Sequence, residues 1–276
     1  MANNNRRTLF VTSFTETMFR LSGQRLINSF LTHGLDRHGD LLCCAEGFHA
    51  PLDGHPSLLQ YNLDESSFLN EWVRKYARLI PVELGIGGKA TVDTCPKAYS
   101  RWNYRAALWF RKIASLYQAL KTVRGDDGGG VGNGGNRGER YHRIVWIDSD
   151  CEWLQPLPMD FWAPFDKHRC LYHFGPIRER VGHGIESGLL VFNPTGYYLL
   201  EKVFKMYLDG DFENCKRWDD GWIFKKVLLK EKKGCHELVY YPLPPKTKTE
   251  TEVILRGPFR SYVRHDKGRH TFLFKG

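Results

Sequence analysis

The sequence lacks the cysteine patterns that stabilise small secreted proteins and the apolar segments that anchor proteins in membranes. Its seven cysteines form no Cys-x-x-Cys pair and their number is odd, so neither a disulfide framework nor a zinc site is expected. No run of about 18 apolar residues occurs. The first residues, MANNNRRTLF, contain no apolar segment of the kind that a secretory signal needs. These absences predict a cytoplasmic protein with no membrane span.

Phosphate-loop and nucleic-acid-binding signatures are also missing. The glycines of residues 125–138 lack a fixed spacing and no Gly-Lys-Ser or Gly-Lys-Thr follows, so this stretch is predicted to be a flexible surface insertion. The net charge of +9 favours an anionic partner, which could be phosphate, nucleic acid or an acidic membrane surface. The basic residues are scattered in short runs rather than gathered on one face, so nucleic acid is not expected as a partner.

The chain does have the length and composition of a single α/β enzyme domain. It has 276 residues, of which 42% are hydrophobic and 14% aromatic, and we expect one domain over residues 1–276. A strand over residues 8–13, a helix over 15–33 and a strand over 40–45 predict a parallel α/β sheet. Further helices are predicted over residues 66–79, 103–123, 195–208 and 218–229, and further strands over residues 144–147 and 185–193.

Two aspartates at the end of a predicted strand give the strongest indication of chemistry. Residues 144–147 are continuously apolar, as in a central strand covered on both faces, and Asp148 and Asp150 follow. Because residues i and i+2 of an extended segment point the same way, both carboxylates can face one site at the carboxyl edge of the sheet. Their oxygen ligands suit Mn²⁺ or Mg²⁺, which could bridge a diphosphate and neutralise charge on it as it departs. The alternative is a solvated turn with two aspartates.

The chain resembles GT-A-type glycosyltransferases that carry an Asp-x-Asp motif, and in particular compact nucleotide-sugar transferases of bacteria and large viruses. The matching segments are VTSF (11–14), FR (19–20), FRK (110–112), IVWIDSD (144–150), ESGLLVFN (186–193), WDDGWIF (218–224) and HDKGR (265–269). The resemblance implies a Rossmann-like fold with a mixed, mainly parallel sheet flanked by helices. It also implies a metal-dependent hexosyl- or pentosyltransferase, with a UDP- or GDP-sugar as donor and a hydroxyl on a glycan, glycolipid or glycoprotein as acceptor.

The resemblance further implies residues that bind the donor. Thr12 and Ser13, in the loop after the first strand, would hold the base and ribose, and Lys112 on the helix before the motif would reach the donor. Asp148 would contact ribose or metal, and Asp150 would be the firmer metal ligand. The alternatives are an ordinary strand-end turn for the first pair and a solvent-facing position for the lysine.

The segment near the carboxyl terminus is implied to close over the diphosphate. A neutral imidazole at His265 would be a third metal ligand, while Lys267 and Arg269 would pair with phosphate oxygens. The alternative is a basic tail with an ordinary histidine.

Glu186 and Asp220 are the candidate catalytic carboxylates. An inverting transferase needs a general base for the acceptor hydroxyl, whereas a retaining one places a carboxylate beneath the anomeric carbon or uses the leaving phosphate. Both outcomes stay open, with Asp220 favoured as the base or as a sugar-binding residue. The alternatives are a helix N-cap formed by Asp219 and Asp220, and a strand-edge carboxylate at Glu186. Trp218 is the tryptophan most expected to offer a flat face to a sugar ring.

The second hypothesis for the function is a metal-dependent phosphohydrolase or nucleotidyltransferase. Phosphatases of the haloacid-dehalogenase type also carry Asp-x-Asp after a strand, but theirs normally opens the chain and is followed by Thr or Val. Here the motif begins at position 148 and is followed by Cys151 and Glu152, which argues against that class. A nucleic-acid-binding module is a third, weaker reading, and salt-sensitive binding to arbitrary DNA would favour it.

Overall fold

The computed structural model describes residues 7–52, 54–76, 106–126, 141–166, 170–173, 184–231, 236–238 and 257–266. The strands in this part are β1 (Arg7–Thr15), β2 (Gly39–Glu46), β3 (Leu58–Asn62), β4 (Tyr141–Ile147), β5 (Cys151–Trp153), β6 (Leu171–His173), β7 (Leu189–Phe192), β8 (His236–Leu238) and β9 (Val263–His265). The α-helices are α1 (Glu16–Met18), α2 (Gln24–Thr32), α3 (Ser67–Lys75), α4 (Ala106–Arg124), α5 (Tyr197–Leu208) and α6 (Asp220–Lys230). None of the helices in these ranges is long and apolar enough to cross a bilayer.

Seven of these strands form one mixed sheet in the order β3-β2-β1-β4-β7-β6-β8. Strands β3, β2, β1 and β4 run parallel, β7 is antiparallel to both of its neighbours, and β6 pairs in parallel with β8. Strands β5 and β9 form a separate antiparallel pair. The predicted α/β class, with a mixed and mainly parallel sheet flanked by helices, is therefore confirmed.

Alternation along the central strands builds a core on each face of the sheet. In β1, Leu9 and Val11 pack with α3 to α6 on one face, while Phe10 packs with α2 and β5 on the other. Phe10 meets Phe30 of α2 and Trp153 of β5 edge-on, with ring centroids 5.3 and 5.8 Å apart. Each such ring contributes roughly 1.5–3 kcal/mol through burial. This packing fixes β5, which begins directly after Asp150, against the body of the sheet.

Several boundaries differ from the sequence-based expectations. The predicted helix over 15–33 is interrupted, because a π-helical turn at Phe19–Gly23 separates α1 from α2, although Gly34 ends it as expected with a φ of 66°. Strand β1 extends to Thr15, so Thr12 and Ser13 lie inside the strand rather than in the loop after it. The strand predicted over 185–193 is only Leu189–Phe192, and residues 184–188 form a loop that leads into it.

Candidate functional site

The carboxyl edge of the sheet, where β1, β2 and β4 end, gathers most of the predicted site residues. Strand β4 delivers Asp148, whose backbone N–H donates to the Gly188 carbonyl at 2.9 Å and so holds the 184–188 loop beside it. This loop packs against the start of α6, where the Ile185 N–H donates to the Gly221 carbonyl at 3.0 Å. A Cβ at Gly184 or Gly221 would lie 2.3 or 2.4 Å from backbone atoms of the other segment, so glycine is required at both positions.

Lys112 of α4 is the centre of this arrangement. Its Nζ lies 3.0 Å from Asp148 Oδ1 and 3.0 Å from Asp220 Oδ2, and it donates to the Ser187 carbonyl at 2.5 Å. The ammonium also lies 4.8 Å from the centre of the Trp146 ring. Burial by itself lowers the pKa of this lysine, but the carboxylates of Asp148 and Asp220 more than offset that effect and raise it. Lys112 is therefore a buried, permanently charged cation rather than a solvent-facing residue.

Asp148 divides its two oxygens between the protein and the surface. Oδ1 accepts hydrogen bonds from Lys112 at 3.0 Å and from Trp146 Nε1 at 2.7 Å. Oδ2 has no hydrogen-bond donor among the described residues, and the side chain is 32% exposed. One oxygen is thus fixed while the other is available to a ligand.

Asp150 lies against β9. Its Oδ1 is 3.1 Å from His265 Nε2, and its carbonyl accepts the Asp266 N–H at 3.0 Å. Burial lowers the pKa of His265, but the hydrogen bond to Asp150 and the nearby charges of Asp148 and Glu186 outweigh it and raise the pKa. The imidazole therefore lies in a field of several carboxylates.

The two aspartates at the start of α6 have different roles. Asp219 is the N-cap, because its Oδ1 accepts the Trp222 N–H at 3.1 Å, while its Oδ2 pairs with Arg217 Nε at 2.7 Å. Asp220 is the first helical residue and faces Lys112, with its side chain only 4% exposed. The N-cap alternative is therefore correct for Asp219 alone. Trp218 is buried edge-to-face on Phe212, with centroids 5.2 Å apart, and offers no exposed face.

The other predicted residues are placed as follows. Thr12 is fully buried within β1 and Ser13 is partly exposed. Glu186 is partly exposed, and its Oε1 accepts the Gly188 N–H at 3.2 Å. Lys267 and Arg269 lie outside the described residues, as do residues 127–138 of the glycine-rich insertion.

Sequence reasoning missed two parts of the site. Trp146 lies two residues before Asp148 on the same strand face, so the period of the strand could have indicated it. The Ser187 carbonyl contributes through the backbone, for which the sequence carries no signal. Arg111, the neighbour of Lys112 on α4, forms an ion pair with Glu46, the last residue of β2, at 2.6 Å.

Four carboxylates lie at or near this edge. Asp148 and Asp220 contact Lys112, and Asp150, Asp148 and Glu186 lie near enough to His265 to raise its pKa. Carboxylate oxygens are ligands that Mn²⁺ and Mg²⁺ take, and an imidazole nitrogen can complete such a set. Among the described residues, the ligand atoms that lie within 4.8 Å of one another are those of Asp150, Cys151 and His265, a group that does not include Asp148. The residues at this edge therefore fit a divalent cation in their ligand chemistry.

No protein-family model matches the chain, and no curated protein gives a significant match. Solved structures do share its architecture. It is similar to a glycosyltransferase involved in the glycosylation of the major capsid of PBCV-1, with a TM-score of 0.47, 10% identity and 95% of each chain covered. It is also similar to mouse xyloside xylosyltransferase 1, with a TM-score of 0.45, 12% identity and 85% of each chain covered.

A third similar structure is the bifunctional glycosyltransferase WbbM. Its TM-score is 0.43 at 15% identity, and the match covers 80% of this chain and 37% of WbbM.

Proposed function

We propose that this protein is a metal-dependent glycosyltransferase, which moves a hexose or pentose from a nucleotide-diphosphate sugar to a hydroxyl on a glycan, lipid or protein. The observation that carries the proposal is that the carboxyl edge places the partly exposed Asp148 against the buried Lys112 and the partly exposed Asp150 against His265. Carboxylate oxygens are ligands that Mn²⁺ and Mg²⁺ take, and either ion can neutralise the charge of a diphosphate.

In this proposal Asp148, Asp150 and His265 hold Mn²⁺ or Mg²⁺. The ion would supply a Lewis acid that neutralises charge on the departing diphosphate of a UDP- or GDP-sugar. Asp148 Oδ2 is suited to the role because Lys112 and Trp146 already fix the orientation of the other oxygen.

The remaining residues are assigned by their exposure. Asp220 holds Lys112 in place, since its side chain is almost fully buried against the ammonium. Glu186 is partly exposed in the adjoining loop and is the better placed carboxylate to accept the proton of an acceptor hydroxyl. Ser13, Lys267 and Arg269 are proposed donor contacts on the basis of the sequence resemblance, whereas Thr12 is excluded from this role by its burial within β1.

A screen of UDP- and GDP-sugars with Mn²⁺, with Mg²⁺ and in EDTA tests this proposal. A true donor at about 100 times its Kd adds roughly 2.7 kcal/mol to the free energy of unfolding, or about 5–10 °C in Tm. Donor turnover should require the metal and be lost in Asp150→Asn. The matched control is Asp160→Asn, which changes an exposed aspartate away from the site.

Two outcomes would reject the function. Full donor turnover in EDTA would remove the metal from the mechanism. Metal-dependent release of phosphate from phosphate esters, with no nucleotide sugar bound, would instead support the phosphohydrolase reading.

A further inference from the structure

We propose that Asp150, Cys151 and His265 form a chelating site for a thiophilic divalent cation of the zinc class. This site shares two residues with the proposed manganese site, so the two ions exclude each other. Zinc binding itself does not depend on the proposed function. The loss of donor turnover that follows when zinc displaces Mn²⁺ does depend on it.

The pairing of β5 with β9 builds the site. Cys151 lies directly opposite His265 in this antiparallel pair, and directly opposed residues place their side chains on the same face. Asp150 immediately precedes β5, and the hydrogen bond from the Asp266 N–H to its carbonyl continues the pairing by one residue. One ligand atom from each of the three side chains lies within 4.8 Å of the others.

Their donor chemistry suits zinc better than manganese or magnesium. Thiolate sulfur, imidazole nitrogen and carboxylate oxygen are the three ligand types that zinc takes, at about 2.0–2.3 Å from the ion. Tetrahedral geometry at those lengths requires ligand atoms about 3.4–3.6 Å apart. Asp150 Oδ1 and His265 Nε2 already lie 3.1 Å apart, so the main adjustment falls on the Cys151 side chain. The three protein ligands leave the fourth position open.

Burial of the Cys151 thiol opposes metal binding, whereas its sulfur makes the site selective for zinc-class ions. Cys151 is fully buried, and burial raises the pKa of its thiol well above the usual range. A zinc-class ion displaces the proton of a coordinating thiol outright, and that proton passes to solvent. Hard cations gain little from sulfur and are expected to use the carboxylates instead.

Cobalt absorption spectroscopy on the full chain tests the site directly, because a thiolate bound to Co²⁺ gives a charge-transfer band in the near ultraviolet. We expect the band in the wild type, its loss on addition of Zn²⁺ and its loss in Cys151→Ser. The matched control is Cys215→Ser, a partly exposed cysteine between α5 and α6, which should keep the band. Zn²⁺ affinity should fall at least tenfold in Cys151→Ser, while Mn²⁺ affinity changes less than twofold.

A second variant protects the test against misfolding of Cys151→Ser. His265→Gln keeps the thiol but removes the imidazole, and we expect at least a tenfold loss of Co²⁺ affinity. A band that is absent from the wild type, or that persists in a folded Cys151→Ser, overturns the site. If donor turnover with Mn²⁺ is intact in that case, the zinc site fails and the proposed function stands.

Discussion

The two edges of the sheet both bury charged side chains, but they balance them differently. At the amino edge, where β1, β2 and β4 begin, Asp40 is fully buried between Arg7 at 2.6 Å and the Tyr141 hydroxyl at 2.5 Å. Arg143, also buried, forms an ion pair with Asp166. Each of these arginines pairs with an aspartate, so the contacts at this edge join neighbouring segments of the fold.

The carboxyl edge arranges its charges differently. Lys112 contacts both Asp148 and Asp220, while Asp150, Asp148 and Glu186 raise the pKa of His265. The comparison separates two uses of buried charge. The ion pairs of the amino edge tie strands together, whereas the carboxylates of the carboxyl edge are proposed to hold a cation.

The largest expected effect is on catalysis at the carboxyl edge. Asp150→Asn removes a proposed metal ligand, and we expect about a 10³-fold loss of donor turnover, equivalent to about 4 kcal/mol of transition-state stabilisation. Asp166→Asn breaks the ion pair with Arg143 at the amino edge and should leave turnover per folded molecule unchanged. Steady-state kinetics, with circular dichroism as the check on folding, compares the two variants. Equal losses of turnover would show that the two edges do not differ in their role in catalysis.

The next effect is on stability. Lys112→Met leaves Asp148 and Asp220 facing each other without their cation, so we expect a loss of about 3–5 kcal/mol in the free energy of unfolding by urea. Arg143→Met should lower the free energy of unfolding by less. The Asp166 side chain, which loses this ion pair, is 28% exposed and can be solvated.

A double variant tests this explanation of the lysine. Adding Asp220→Leu to Lys112→Met removes the stranded buried carboxylate and should recover part of the loss. No recovery in the double variant would mean that the lysine stabilises through its packing rather than through its charge.

A smaller effect is expected from one hydrogen bond at the amino edge. Tyr141→Phe removes the hydroxyl that donates to the buried Asp40 and should cost about 1–3 kcal/mol in urea unfolding. Turnover should not change, since Tyr141 lies at the opposite end of β4 from Asp148. A fall in turnover without a fall in stability would show that the two edges are coupled.

The smallest effect is a pH dependence of opposite sign at two histidines. Burial lowers the pKa of His38 at the amino edge, so its contribution to stability is lost as pH falls below about 6.5. At the carboxyl edge, carboxylates raise the pKa of His265 despite its burial. Its contribution is complete below about 6.5 and is lost as pH rises through the folded-state pKa.

Urea unfolding between pH 5 and 8 separates these two contributions. His38→Gln should flatten the acidic side of the stability profile and His265→Gln the neutral side, each by at most about 1.4 kcal/mol per pH unit. A His265→Gln profile parallel to that of the wild type would contradict the raised pKa.

The sequence was sufficient for four of the seven strands in the main sheet, β1, β2, β4 and β7, and for the position of the acidic motif. The apolar run before Asp148 identified β4, and the rule that sites lie at carboxyl ends of parallel strands placed the motif at the correct edge. Strands β3, β5, β6, β8 and β9 were missed. All of these except β3 have only three residues, which is too short for a period to be read.

The features of the site that could not be predicted from the sequence depend on tertiary contacts. The different roles of Asp219 and Asp220 depend on which residue begins α6. Helix boundaries are the least certain part of a prediction from sequence. Lys112 was indicated only by resemblance, because its partners lie 36 and more positions away along the chain. The Ser187 carbonyl reaches it through the glycines that allow the 184–188 loop to approach α6.

A titration of Mn²⁺ followed by electron paramagnetic resonance tests the central claim most directly. We predict one Mn²⁺ bound per wild-type molecule and at least 100-fold weaker binding in the double variant Asp148→Asn, Asp150→Asn. Asp166→Asn at the amino edge should bind as the wild type does. Undiminished Mn²⁺ binding by the folded double variant would contradict the account.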